Sequence, residues 1–300
     1  MTTSGTARVP RFQARQDAEQ AASARSVPPH HAVMAQAREE NFPVAIALLG
    51  RRRREALLAI YGVARLIDDI GDEVLGDRDA LLDWAERELD RVYSGENPEH
   101  PAMKALAVQA RAFDLPEGPF RRLVEANRRD QTVARYETFD DLLGYCELSA
   151  APVGELVLHA FGAATPDRIA LSDRICAGLQ VTEHIQDVAE DYTRGRVYLP
   201  REDLARFGCA EADLARPSAT AQTRQLIAFE VERARALLAG GASLAKRLPA
   251  RPRAAVAGFL AGGRATLDAI ERSGYDVWRS EPRRSRGGLA RALPRALLGG

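Results

Sequence analysis

Apolar residues return every three to four positions through most of the chain. From His30 onward this spacing persists, and no stretch shows the strict alternation that a half-buried strand requires. The pattern predicts helices over 30–40, 43–49, 52–74, 78–93, 100–112, 117–129, 138–149, 152–163, 167–192, 217–247 and 251–273. Breakers fall between them at 41–43, 76–77, 95–98, 115–118, 165–166 and 248–252. Such short joints favour antiparallel neighbours in one bundle over two separate domains. The expected fold is therefore all-α, with one helical domain over 29–278. Residues 1–28 have no sustained apolar period and are expected to be a disordered lead-in. Residues 279–300 read as a basic, Gly/Pro-broken flexible tail, with leucines that suit contact with an anionic membrane surface.

Composition removes several function classes. The 300 residues suffice for a sizeable core. The 42 basic and 42 acidic residues cancel, so no global charge marks a nucleic-acid binder. Cys146, Cys176 and Cys209 are widely spaced, form no metal or redox motif and suit a reducing compartment. No apolar run reaches the length of a membrane span, and the N-terminus lacks a signal-peptide core, so a cytoplasmic location is expected, with the tail as the one candidate for contact with the inner membrane.

The candidate chemistry is acidic. RLIDDIGDE, residues 65–73, places four carboxylates in six positions of an otherwise apolar helix. Residues four apart share a helix face, so Asp68 stacks on Asp72 and Asp69 on Glu73. Like charges at that spacing repel, and a hard divalent cation such as Mg²⁺ would offset them while keeping sites open for phosphate. A solvated helix end is the competing explanation for such a run. A second stripe, Glu183, Asp187 and Asp191 at i, i+4 and i+8, lies on another long apolar helix, with Gln180, His184 and Glu190 beside it. Two such clusters facing one another would hold several metals and receive a diphosphate. Arg65, Arg128, Arg129, Arg194 and Arg196 supply guanidinium forks for phosphate oxygens, while the more usual role for any one such Arg is an ion pair with a nearby carboxylate. The loop TRGRVYLP after Asp191 is a candidate lid. No strand followed by GxGxxG is present, so no dinucleotide site is expected.

With YGVAR before the first cluster and GRVYLP after the second, the chain resembles the squalene/phytoene synthase family of head-to-head prenyl synthases over about 38–274. The resemblance implies an isoprenoid-synthase bundle with a central apolar channel, Mg²⁺ as cofactor and a prenyl diphosphate substrate. It assigns Asp68, Asp72, Glu183, Asp187 and Asp191 to the metals. Catalytic roles fall on these four aspartates and on Tyr61 and Arg65. Substrate contacts fall on Asn41, Tyr61, Arg65, Asp130, Tyr145, Gln180, Arg196 and Tyr198.

ENFPVA at 40–45, YCELSAAPVG at 145–154 and HIQDVAEDYTRGRVYLP at 184–200 resemble the HpnC-type branch of hopanoid biosynthesis. That branch implies conversion of presqualene diphosphate to hydroxysqualene without NADPH, alongside a presqualene diphosphate synthase and a reductase. Squalene or presqualene diphosphate synthesis from farnesyl diphosphate, phytoene-type synthesis and a non-catalytic helical assembly factor are the alternatives. Three departures stand out. Glu183 replaces the family's usual Asn, Gln186 stands where carotenoid-forming relatives place Arg, and Gly262-Gly263 stands where they often place Tyr.

Overall fold

The protein is described from a computed structural model covering residues 27–29, 50–74 and 76–279. The helices expected over 30–40 and 43–49, Asn41, most of the expected lead-in and the tail from residue 280 onward lie outside the described residues. Within them the chain is helical, its only β-type pairing being an isolated bridge between Arg135 and Val197. No described helix is long and apolar enough to cross a membrane.

Eleven α-helices are described: α1 Arg51–Asp72, α2 Arg78–Ser94, α3 Pro101–Phe113, α4 Glu117–Asp130, α5 Phe139–Ser149, α6 Ala151–Ala160, α7 Pro166–Gln186, α8 Val188–Thr193, α9 Arg201–Arg206, α10 Ala221–Gly241 and α11 Ala250–Arg272. Their boundaries have local causes. Asp77 caps α2 by accepting from Ala80 N at 3.0 Å, and Gly95 ends it in the left-handed region. Thr138 and Asp141 form a reciprocal capping box at α5. Thr165, with Pro166 in the first turn, starts α7.

Two predicted spans change. The helix expected over 217–247 starts at Ala221, where Thr220 caps it, and its last turns tighten into a 3₁₀ segment, Ala242–Arg247. The helix expected over 167–192 bends at Asp187, whose φ of −96° and ψ of 10° leave the helical well.

One face of α1 (Ala56, Ile60, Val63, Ile67, Ile70) enters the core at helical spacing and packs against α3 and α4. On the other side α7 packs closely on α10, and glycines make that approach feasible. A Cβ on Gly241 would lie 2.5 Å from both Ile175 Cγ1 and the Leu171 carbonyl, and one on Gly178 would lie 2.9 Å from Leu238 Cγ. Only residues without a Cβ fit there, and this seam fixes the helix that carries the second acidic stripe.

A buried ionic cluster ties α9 to α10. Arg233 pairs with Asp203 and Glu230, and its guanidinium lies 4.3 Å from the ring centroids of both Phe139 and Phe229. Cys146, Cys176 and Cys209 are all free thiols.

Candidate active site

The first acidic cluster occupies the last turn of α1, where the helix dipole already concentrates negative charge. Anions there are doubly unfavourable, so the surroundings must offset them. Part of the compensation is internal. Arg65 Nε lies 2.7 Å from Asp69 Oδ1, and Arg65 Nη2 donates to Glu73 at 2.8 Å. Asp69 and Glu73 thereby act as partners of Arg65. Asp68 and Asp72, one helical turn apart, face a cavity instead.

Glu183 and Asp187 of the second cluster also sit at a helix C-terminus. Glu183 lies in the last turn of α7, Asp187 forms the joint, and Asp191 belongs to α8. The joint keeps the backbone bonds Asp187 N to Glu183 O at 2.9 Å and Asp191 N to Asp187 O at 2.8 Å. The carboxylates therefore still share one side although the helix is not continuous.

Both clusters line a single cavity of about 230 Å³. Asp68 and Asp72 come from α1; Leu123, Ala126, Asn127 and Asp130 from α4; Tyr145 and Ser149 from α5. Gln180, Glu183, His184, Asp187 and Asp191 come from α7, α8 and their joint, and Arg194, Arg196 and Tyr198 from the segment that follows. Six carboxylates share this space. Burial pushes the Asp68 carboxyl up to about 7, against the pull of Asn127 and Arg65 and with the repulsion of Asp72 and Asp69. Burial likewise raises Asp130, although Tyr145 donates to its Oδ2 at 2.6 Å and Arg196 lies nearby. The other oxygen, Asp130 Oδ1, is buried and accepts no hydrogen bond.

The far wall is aromatic. Tyr198 stacks on His184 with ring centroids 3.7 Å apart, and Tyr136 and Tyr145 each lie within 6 Å of Tyr198. His184 Nε2 is 3.2 Å from the Gln180 amide nitrogen, and its Nδ1 is 3.9 Å from Asp191.

The segment 194–200 borders the cavity through Arg194, Arg196 and Tyr198 and is pinned along its length as a strap, not a free lid. Val197 N donates to Ala134 O at 2.9 Å, and Arg201 N donates to Tyr136 O at 2.9 Å. Arg135 donates to the Gly195 carbonyl at 2.6 Å while Glu211 holds its Nε with both oxygens at 3.0 Å. This anchoring extends Arg196 inward, where Nη1 meets Asp72 Oδ1 at 2.8 Å. Burial works against the Arg196 charge, but Tyr198, Asp72 and Asp130 hold the guanidinium firmly protonated.

Of the residues expected from the sequence, Asp68, Asp72, Asp130, Tyr145, Gln180, Glu183, Asp187, Asp191, Arg196 and Tyr198 line this cavity. Tyr61 and Arg65 do not line it; they lie on α1, ahead of Asp68 in the chain. Arg128 is engaged by Asp83 and Glu86 on the outer side. Sequence reasoning missed Asn127, whose only signal was its place one turn before Asp130 on α4.

The donors suit a hard cation. Carboxylate oxygens at two negative helix ends, a carboxyl driven to about 7 by burial and an unpartnered buried oxygen on Asp130 all favour added positive charge. Among the described residues no three acidic or imidazole groups converge into a ready-made coordination shell. That openness is compatible with Mg²⁺, which takes one or two carboxylates, keeps waters and shares substrate phosphates.

Comparison with known proteins shows which family the chain is similar to. Residues 35–288 match the family model described as squalene/phytoene synthase. Hydroxysqualene synthase of Rhodopseudomonas palustris is 35% identical over 212 residues, covering 70% of this chain and 72% of that protein. Phytoene synthase of Arthrospira platensis is 34% identical over 254 residues, covering 80% of this chain and 82% of that protein. The crystal structure of squalene synthase HpnC from Alicyclobacillus acidocaldarius superposes with a TM-score of 0.77 at 41% identity, covering 84% of this chain and 98% of the other.

Proposed function

Because the chain belongs to the squalene/phytoene synthase family, and so to the prenyl-transferring enzymes, we propose that its acidic cavity converts presqualene diphosphate to hydroxysqualene with loss of diphosphate. The observation that carries this reading is the meeting of two acidic clusters, from opposite sides of the bundle, on one cavity that Arg196 also enters. A prenyl diphosphate needs its anionic end neutralised, and this arrangement suits that demand.

Asp68, Asp72, Glu183, Asp187 and Asp191 are the residues to hold Mg²⁺, whose charge, when bound, stabilises the departing diphosphate. Arg196 exchanges Asp72 for phosphate oxygens, a geometry that a guanidinium fork suits. As the carbon–oxygen bond breaks, the electron pair leaves with the diphosphate and a cyclopropylcarbinyl cation remains. The rings of Tyr145, Tyr198 and His184 border the space where it rearranges. An aromatic face steadies a desolvated cation by about 1–2 kcal/mol. Water then adds to the allylic cation and releases its proton to solvent, giving hydroxysqualene.

The likeness to hydroxysqualene synthase supports this product, and Gln186 and Gly262-Gly263 set the chain apart from the carotenoid-forming pattern. In hopanoid biosynthesis the enzyme would act between a presqualene diphosphate synthase and a reductase. Phytoene synthesis is the second reading, favoured by a relative that covers more of the chain at almost equal identity. Incubating purified protein and Mg²⁺ with presqualene diphosphate, without reductant, tests the choice. Hydroxysqualene plus diphosphate is the expected outcome. Squalene formed only with NADPH, or phytoene formed from geranylgeranyl diphosphate, would overturn it.

A further inference from the structure

The glycine within the first acidic cluster serves a purpose that the metal assignment does not use. Gly71 lies inside the last turn of α1, where glycine costs about 1 kcal/mol relative to alanine. A Cβ built there would fall 1.9 Å from Asn127 Oδ1, 2.8 Å from its Cγ and 3.2 Å from its Cβ. The Asn127 side chain thus fills the volume that any other residue at position 71 would occupy.

From that seat its amide nitrogen donates to Asp68 Oδ1 at 3.3 Å and to the Leu123 carbonyl at 3.0 Å. With both contacts being acceptors, the orientation of the amide is fixed. Gln131 braces the arrangement from the C-cap of α4, donating to the Gly71 carbonyl at 3.1 Å and to the Asn127 carbonyl at 2.9 Å. Asn127 is 6% exposed, lines the acidic cavity and carries no charge.

We propose that Asn127 is a positioning residue that aims the Asp68 carboxylate at the cation–diphosphate complex, and that Gly71 exists to admit it. The inference rests on the reading of Asp68 given above. One donated bond takes up part of the acceptor capacity of one carboxylate oxygen and leaves the rest for a ligand. Partners that orient a ligating carboxylate typically govern metal affinity by tenfold to a hundredfold. The sequence hides the pair because the two residues are 56 positions apart and meet only where α1 crosses α4.

The test is binding of Mn²⁺ with inorganic diphosphate, followed by titration calorimetry on the full chain, with melting curves for every variant. Asn127→Leu keeps the volume and removes the donor. It is expected to weaken binding by roughly ten- to a hundredfold. Gly71→Ala, which displaces the amide without deleting it, is expected to do the same.

Non-additivity is the decisive signature. The double variant Gly71→Ala, Asn127→Ala should bind no more weakly than Asn127→Ala alone, because the displaced group is already absent. A structural role alone would lower melting temperatures without this pattern. Wild-type affinity in Asn127→Leu, or additive losses in the double variant, overturns the assignment. If Asn127→Leu does not fold, the alanine cycle decides. Absence of Mn²⁺–diphosphate binding by the wild type would instead overturn the reading of the site itself.

Discussion

Arg196 and Asp72 join the two halves of the acidic cavity through a 2.8 Å ion pair. One lies on the strap after the second cluster and the other on the last turn of α1. In the absence of substrate the guanidinium therefore serves as a counter-charge for the carboxylates. A diphosphate would compete with Asp72 for it.

Arg196→Ala should lower kcat/KM for presqualene diphosphate about a hundredfold, equivalent to about 2.7 kcal/mol of transition-state stabilisation. Arg196→Lys keeps the charge but loses the fork and should recover only part of that loss. Steady-state diphosphate release measures both. Unchanged kinetics in Arg196→Ala would exclude it from the substrate site.

Glu183 bears on metal demand. Asp187→Ala should cut turnover on the order of a thousandfold, since it removes a proposed ligand at the centre of the stripe. Glu183→Asn should retain turnover within about threefold but raise the Mg²⁺ concentration for half-maximal rate, because site charge sets cation affinity. An Mg²⁺ titration of both variants distinguishes a ligand from a bystander.

Glu230 gives a pH signature away from the cavity. Burial pushes its carboxyl up to about 8, opposed by Arg233 and reinforced by Asp203. Between the ordinary glutamate value and about 8 the folded chain holds a proton that the unfolded chain has lost. That contribution to stability is fully present in acid and is lost as pH rises through the folded value. The melting temperature of the wild type should therefore fall relative to Glu230→Gln between pH 5 and pH 9. Parallel curves for the two proteins would contradict this.

Gly241 tests the seam beneath the second stripe. With an added Cβ only 2.5 Å from Ile175 Cγ1 and the Leu171 carbonyl, Gly241→Ala must push α7 and α10 apart. A destabilisation of about 2–3 kcal/mol is expected, and a melting temperature lowered by several degrees. Because α7 carries Glu183, Mg²⁺ affinity should fall as well, measurable in the same titration.

The helices were legible because their signals are local. Asp77, Thr138 and Thr165 announce their helices within four residues. The acidic clusters were legible for the same reason, since four carboxylates in six residues cannot be hidden by any fold. What escaped depends on encounters between distant segments. The contact of Asn127 with Asp68, the clamp of Arg135 on Gly195 and the turning inward of Arg196 each join residues at least 59 positions apart. Arg65 shows the converse. Its spacing places it beside the cluster, but its guanidinium is taken up by Asp69 and Glu73 and does not reach the cavity lining.

The bend at Asp187 has a mechanical consequence. In an unbroken helix the distance from Glu183 to Asp191 would be dictated by rise per residue and could not vary. Here one jaw belongs to α7, seated on α10 through glycine contacts, and the other to α8, which leads into the pinned strap. Asp187 is the pivot between them. A single pair of backbone angles thus sets the opening of a caliper, one arm seated on α10 and the other leading into the strap. The gauge of the acidic stripe can consequently be adjusted by substitutions around that pivot, without rebuilding the bundle that supports it.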